Sequence, residues 1–172
     1  MKERPFLKLE NKKRYAKQIR KTDCGLTAIA NTMKWAGSNI SYKSFYNMFK
    51  SKCDTTYGID PETMTTILSQ INSLELKKVL AAGFSLKQIN KHLDNDGAII
   101  IRYFHNQKLQ GHYALCVGRT KHSYKMVNDS AKKTVRYVPA KTLHNKITRQ
   151  SFGLGCIYFS LLWFMGKKKD AM

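Results

Sequence analysis

Acidic residues are scarce in this chain: 11 Asp and Glu stand against 31 Lys and Arg, a formal net charge of +20 over 172 residues. Such an excess favours an acidic partner, whether nucleic acid, an anionic membrane or an acidic protein, and it carries no information about fold. Long apolar runs are lacking too. The longest, Leu154 to Met165, contains Gly155, Cys156 and Ser160 and falls short of the ~20 residues that cross a bilayer. A buried terminal strand is expected there, and no transmembrane segment. The start, Met1 to Arg14, is charged throughout and has no apolar stretch of the secretory kind. A cytoplasmic location is therefore expected.

Metal-binding spacings are also missing. The four cysteines, Cys24, Cys53, Cys116 and Cys156, form no CxxC pair, and the histidines show neither HExxH nor HxxxH. No zinc site and no cofactor are expected. A chain of this length builds its core without disulfide staples. It is long enough for one compact domain and hardly for two.

What is present divides simply. Residues 1–17 read as a basic N-terminal arm, 18–165 as the folded domain and 166–172 as a basic tail. After the arm, Leu26, Ile29, Met33 and Ala36 fall at helical spacing, with Thr22 or Asp23 before them and Gly37 after. Two further helices are expected, one from Ser41 to Lys50 and one from Asp60 to about Ile71, with Pro61 at its first position. The pattern then changes to strands: Leu74 to Leu80, Ala98 to Phe104, His112 to Gly118, Tyr124 to Asn128, Thr134 to Val138 and a closing strand from Cys156 to Phe164. A short helix opens at Ser85, and Pro139 to Lys146 reads as a helical turn. Helices first and an antiparallel sheet after is an α+β arrangement.

Chemistry concentrates around Cys24. A cysteine at the first turn of a helix meets the positive end of the helix dipole, which favours thiolate. Gly25 beside it leaves room for a substrate backbone. Gln18 offers an amide NH2 to an oxyanion, together with the backbone N–H of Cys24. A nucleophilic cysteine needs a base, and the base needs an orienting group. His112 opens a strand directly after Gly111 and is the best-placed base. Asn128 and Asp129 close the next strand, and because successive residues alternate faces only one of them should address the histidine. Gly111 and Tyr113, on either side of His112, are expected with Gly25 to contact substrate.

At these residues the chain resembles the bacteriocin-processing, double-glycine peptidases of the papain-like clan. The resemblance rests on Gln18 six before the cysteine, Asp23-Cys24-Gly25 opening a helix, Gly111-His112-Tyr113-Ala114-Leu115 in a strand, and Val127-Asn128-Asp129-Ser130-Ala131 after it. It implies a papain-like fold, with N-terminal helices packed on the C-terminal sheet. It implies Cys24 as nucleophile, His112 as base, Asp129 as orienting group and Gln18 as oxyanion donor. It further implies cleavage after two small residues, typically Gly-Gly. Three positions depart from the family pattern: Ser130 replaces a usual proline, Leu26 replaces a small residue or proline, and the interval from His112 to Asp129 is longer than usual by a single residue. The last departure keeps Asn128 as the alternative orienting residue. Two other functions share this sequence: an isopeptidase or acyltransferase using the same dyad, and a basic module that binds nucleic acid or an acidic protein on a peptidase-like fold.

Overall fold

A computed structural model describes residues 15–72, 74–80, 85–104, 111–129, 133–148, 150–152, 156–158 and 160–167. Most of the basic arm, the segment with His105, the end of the basic tail and the Cys156 side chain lie outside the described part.

Helix α1, Cys24–Trp35, buries ten of its residues, Leu26, Ala28, Ile29 and Ala30 among them. Its end is set by Gly37, whose φ of +104° is a left-handed conformation that glycine adopts at little cost. Helix α2, Tyr42–Phe49, starts on Ser41, whose hydroxyl accepts the Ser44 N–H at 3.1 Å. Helix α3, Pro61–Ser69, starts on Asp60, whose carboxylate accepts the N–H groups of Glu62 and Thr63 at 2.9 Å each. Helix α4, Leu86–Asp94, carries the Ser85–Gln88 capping box.

The strands are β1, Leu74–Leu80; β2, Ala98–Phe104; β3, Gly111–Arg119; β4, Ser123–Val127; β5, Val135–Pro139; β6, Gln150–Phe152; β7, Cys156–Tyr158; and β8, Leu161–Lys167. Helix α5, Ala140–Thr148, lies between β5 and β6. The main sheet runs β1-β8-β2-β3-β4-β5 with every neighbour antiparallel. The closing segment is therefore not one strand from Cys156 to Phe164. Its first part pairs with β6 as a separate ribbon, and β8 enters the main sheet between β1 and β2. Ser160 stands at the break, buried, with its hydroxyl donating to the Lys146 carbonyl at 2.9 Å.

The sheet has two covered faces. Ala98, Ile100, Tyr113, Leu115, Trp163 and Met165 pack with the residues of α1 and α3. Ile99, Ile101, Tyr103, Ala114, Cys116 and Leu162 pack with Ile89 of α4 and with Leu143 and Ile147 of α5. This is the α+β arrangement expected, with two later helices closing the second face. Burying a core side chain of this kind stabilises by roughly 1.5–3 kcal/mol, so both faces are firm platforms for the sheet end.

Candidate active site

At one end of the sheet the start of β3, the end of β4 and the start of α1 converge. The convergence is built from local backbone. Gly58, at φ +78°, lets the 54–58 turn lie against Thr22; a Cβ there would stand 2.6 Å from the Thr22 carbonyl oxygen. That contact fixes the peptide two residues ahead of Cys24. Gly25 is similarly confined, since a Cβ would meet Ile59 at 3.1 Å and the Tyr113 ring at 3.4 Å. The space beside Gly25 is thus filled by protein side chains.

Cys24 is buried, 7% exposed. Burial pushes its thiol up from the ordinary value. The backbone N–H groups of Tyr113, Gly25 and Cys24 itself and the Arg102 guanidinium pull the other way without reversing the shift. The helix terminus favours thiolate, as its position suggests, but desolvation outweighs it. The Cys24 sulfur lies against the Tyr113 N–H, one residue past His112.

His112 places Nε2 2.8 Å from the Asn128 carbonyl oxygen. A carbonyl only accepts, so Nε2 carries the hydrogen, and the lone pair of the neutral form of the ring is on Nδ1. Asn128 has φ +59° and is buried. Its side chain turns to the other partner: Oδ1 accepts the Gln18 backbone N–H at 3.2 Å and Nδ2 donates to Gln18 Oε1 at 3.2 Å. Asn128 therefore joins the strand that holds His112 to the segment that leads into Cys24. Gln18 Nε2 donates to the carbonyls of Arg20 at 2.5 Å and Lys21 at 2.8 Å.

Asp129 is set differently. Its side chain is fully buried and receives the Tyr103 hydroxyl, the Arg136 guanidinium and Lys146 Nζ, the last at 3.0 Å. Burial alone would raise its pKa, but the three donors together hold the carboxyl below its ordinary value. The structure brings Gln18, Asn128 and His112 into one hydrogen-bonded group and gives the Asp129 carboxylate to Tyr103, Arg136 and Lys146.

Of the expected substrate contacts, Tyr113 has its ring in the core and its hydroxyl on the Ile59 carbonyl at 3.0 Å. Its backbone N–H is what lies against the Cys24 thiol. Gly111 lies under Arg102, whose Nε would be 2.7 Å from a Cβ at that position. Arg102 is also 5.8 Å from the Tyr113 ring centroid. Sequence reasoning missed Arg102, although a single charge inside Ala98-Ile-Ile-Ile-Arg-Tyr-Phe104 was a signal. Tyr103, Arg136 and Lys146 were missed as well, because their meeting with Asp129 is set by tertiary packing. Among the described residues no cluster of His, Cys, Asp and Glu is arranged to hold a metal, and no helix is long and apolar enough to cross a membrane.

A family model described as the Peptidase_C39 like family matches residues 10–151. The fold is similar to that of the peptidase domain of Streptococcus ComA, a bi-functional ABC transporter involved in a quorum sensing pathway. The TM-score is 0.62 at 17% identity, over 89% of this chain and 97% of that one. A putative C39-like peptidase from Bacillus anthracis gives a TM-score of 0.59 at 11% identity, over 90% and 95% of the two chains. A double glycine motif protease from an AMS/PCAT transporter, solved in complex with the leader peptide, gives 0.56 at 14% identity, over 88% and 90%. At these identities the structural likeness establishes the fold. No curated protein matches the chain in sequence.

Proposed function

The chain belongs to the Peptidase_C39 like family and is a cysteine peptidase; from that premise we propose that it cuts a peptide or small protein after small residues such as Gly-Gly, through an acyl-enzyme on Cys24. The observation that carries the reading is the double engagement of Asn128, by its carbonyl with His112 and by its side chain with Gln18. That engagement ties the proposed base and oxyanion donor to one residue, and through Gln18 to the segment that leads into Cys24. The neighbour solved with its leader peptide supports a peptide as substrate.

In the proposed sequence Nδ1 of His112 takes the Cys24 proton as Sγ attacks the scissile carbonyl. The oxyanion meets the Cys24 N–H, one of the α1 amides without an intrahelical acceptor, and Gln18 Nε2, which exchanges one of its two carbonyl partners for it. His112 returns the proton to the leaving amine. Water then cleaves the thioester, with His112 again as base, and regenerates Cys24. If an amine replaces water in the second half, the same enzyme transfers the acyl group; if the leaving amine is a lysine side chain, it is an isopeptidase. The free thiols Cys24, Cys53 and Cys116 support a reducing, cytoplasmic setting.

The test is turnover of a peptide that carries Gly-Gly before a fluorogenic amine. Cys24→Ala and His112→Ala are each expected to lose at least about 10³-fold in kcat while keeping the wild-type melting temperature. Turnover retained by Cys24→Ala would sink the proposal.

A further inference from the structure

We propose that Tyr103 is the positioning residue through which Asp129 acts on His112, so that the base is held by a carboxylate–phenol–imidazole sequence rather than by direct contact with the carboxylate. This rests on the peptidase reading of Cys24 and His112.

Tyr103 and His112 are directly opposed across the β2–β3 pair. Their rings meet edge to face, with centroids 5.5 Å apart. Such an arrangement resists rotation of the imidazole about its side-chain bonds, because the partner ring is itself immobile. Tyr103 is 1% exposed and belongs to the core beneath β3. Its hydroxyl donates to Asp129 Oδ1. Lys146 Nζ lies 4.5 Å from its ring centroid and 3.4 Å from its hydroxyl oxygen. Burial, followed by the facing Asp129 carboxylate, pushes the phenol far above its ordinary value, so it remains a donor with a fixed direction.

The carboxylate is fixed in turn. Arg136 reaches it from β5 and Lys146 from α5. The Lys146 carbonyl accepts the Ser160 hydroxyl at the entrance to β8. Asp129 therefore gathers β2, β5 and α5, and of these β2 sets Tyr103 against the imidazole. The Asn128 carbonyl completes the hold from β4 by accepting the Nε2 hydrogen. One contact sets the tautomer and the other sets the ring plane.

Steady-state kinetics on the Gly-Gly fluorogenic peptide, with Tyr103→Phe, Tyr103→Leu, Asp129→Asn and the double variant Tyr103→Phe/Asp129→Asn, test the relay. Tyr103→Leu is expected to lower kcat by about 10- to 100-fold with KM unchanged, the size of effect that supporting-shell residues give. Tyr103→Phe keeps the ring but loses the link to Asp129, and is expected to recover only part of that loss and to match Asp129→Asn alone; full recovery to wild-type kcat would overturn the relay. On the Phe background, Asp129→Asn is expected to add less than about twofold, since the link it breaks is already gone. An NMR signal from the His112 ring supplies a readout that does not depend on turnover: its ring-current shift should survive Tyr103→Phe and vanish in Tyr103→Leu. A direct Asp129–His112 contact would instead make Asp129→Asn cost about 10⁴-fold on either background, with Tyr103→Leu near wild type, and would overturn the relay. Cys24→Ala separates the two failures. If it is active, the peptidase reading falls; if it is inactive and Tyr103→Leu matches wild type in kcat, only the relay falls.

Discussion

The two faces of the sheet hold the two halves of the site by different forces. On one face Cys24 is fixed by apolar packing and by backbone: Leu26, Ile29 and Ile59 beside it, and the Thr22 carbonyl pressed against Gly58. On the other, His112 stands against Tyr103, and behind Tyr103 a fully buried carboxylate is shared by two cations. The difference teaches where each half is vulnerable. Removing methylenes should damage the Cys24 side at every pH. Removing charge should damage the His112 side only while the carboxylate is ionised.

The largest effect that would sharpen this contrast lies between the faces. Gln18 is bound to Asn128 from the Cys24 side; with the oxyanion role proposed for it, Gln18→Ala is expected to cost about 10²- to 10³-fold in kcat. Unchanged kcat with raised KM would make Gln18 a scaffold residue instead.

Two stability measurements come next. Leu26→Ala on the first face is expected to cost about 3 kcal/mol through a cavity, equally at pH 4 and pH 7. Asp129→Asn on the second leaves Arg136 and Lys146 without their anion. Their side chains are 38% and 20% exposed, so water offsets part of the loss, and about 3 kcal/mol at pH 7 is the upper expectation. The sign of its pH dependence is fixed. The folded carboxyl lies below its ordinary value of 3.8, so its contribution is present above the unfolded pKa and is lost as pH falls through the folded one. The gap between wild type and Asp129→Asn in chemical denaturation should therefore close in acid, and the Leu26→Ala gap should not. A gap for Asp129→Asn that does not narrow at all as the pH is lowered from 7 into acid would break the comparison.

The smallest effect is local. Asp60→Ala removes the cap of α3 and both of its backbone hydrogen bonds, at an expected cost of about 1 kcal/mol by melting. It should leave kcat untouched, because α3 reaches the site only through packing.

The same contrast explains what could be read in advance. Cys24 was legible because its signals are local: a cap position, an apolar stripe at helical spacing, and Gly37 as the stop. The alternation of Tyr113 and Leu115 against His112 and Ala114 was legible for the same reason, and the structure keeps it. What escaped is non-local. Nothing near Asp129 signals that Tyr103, 26 residues earlier, will donate to it, since that requires β3 to separate β2 from β4 in the sheet order. The insertion of β8 between β1 and β2 escaped because an apolar run does not reveal its neighbours. The burial of Cys24 escaped because a helix terminus is visible in sequence and the packing around it is not.

The most direct measurement of the central claim is covalent labelling with a peptidyl chloromethyl ketone ending in Gly-Gly, followed by intact mass and mapping of the modified residue. One equivalent on Cys24, formed at least about 10²-fold more slowly in His112→Ala, is the expected result. Labelling spread over Cys53, or a Cys24 rate indifferent to His112, would contradict a thiol activated by that imidazole.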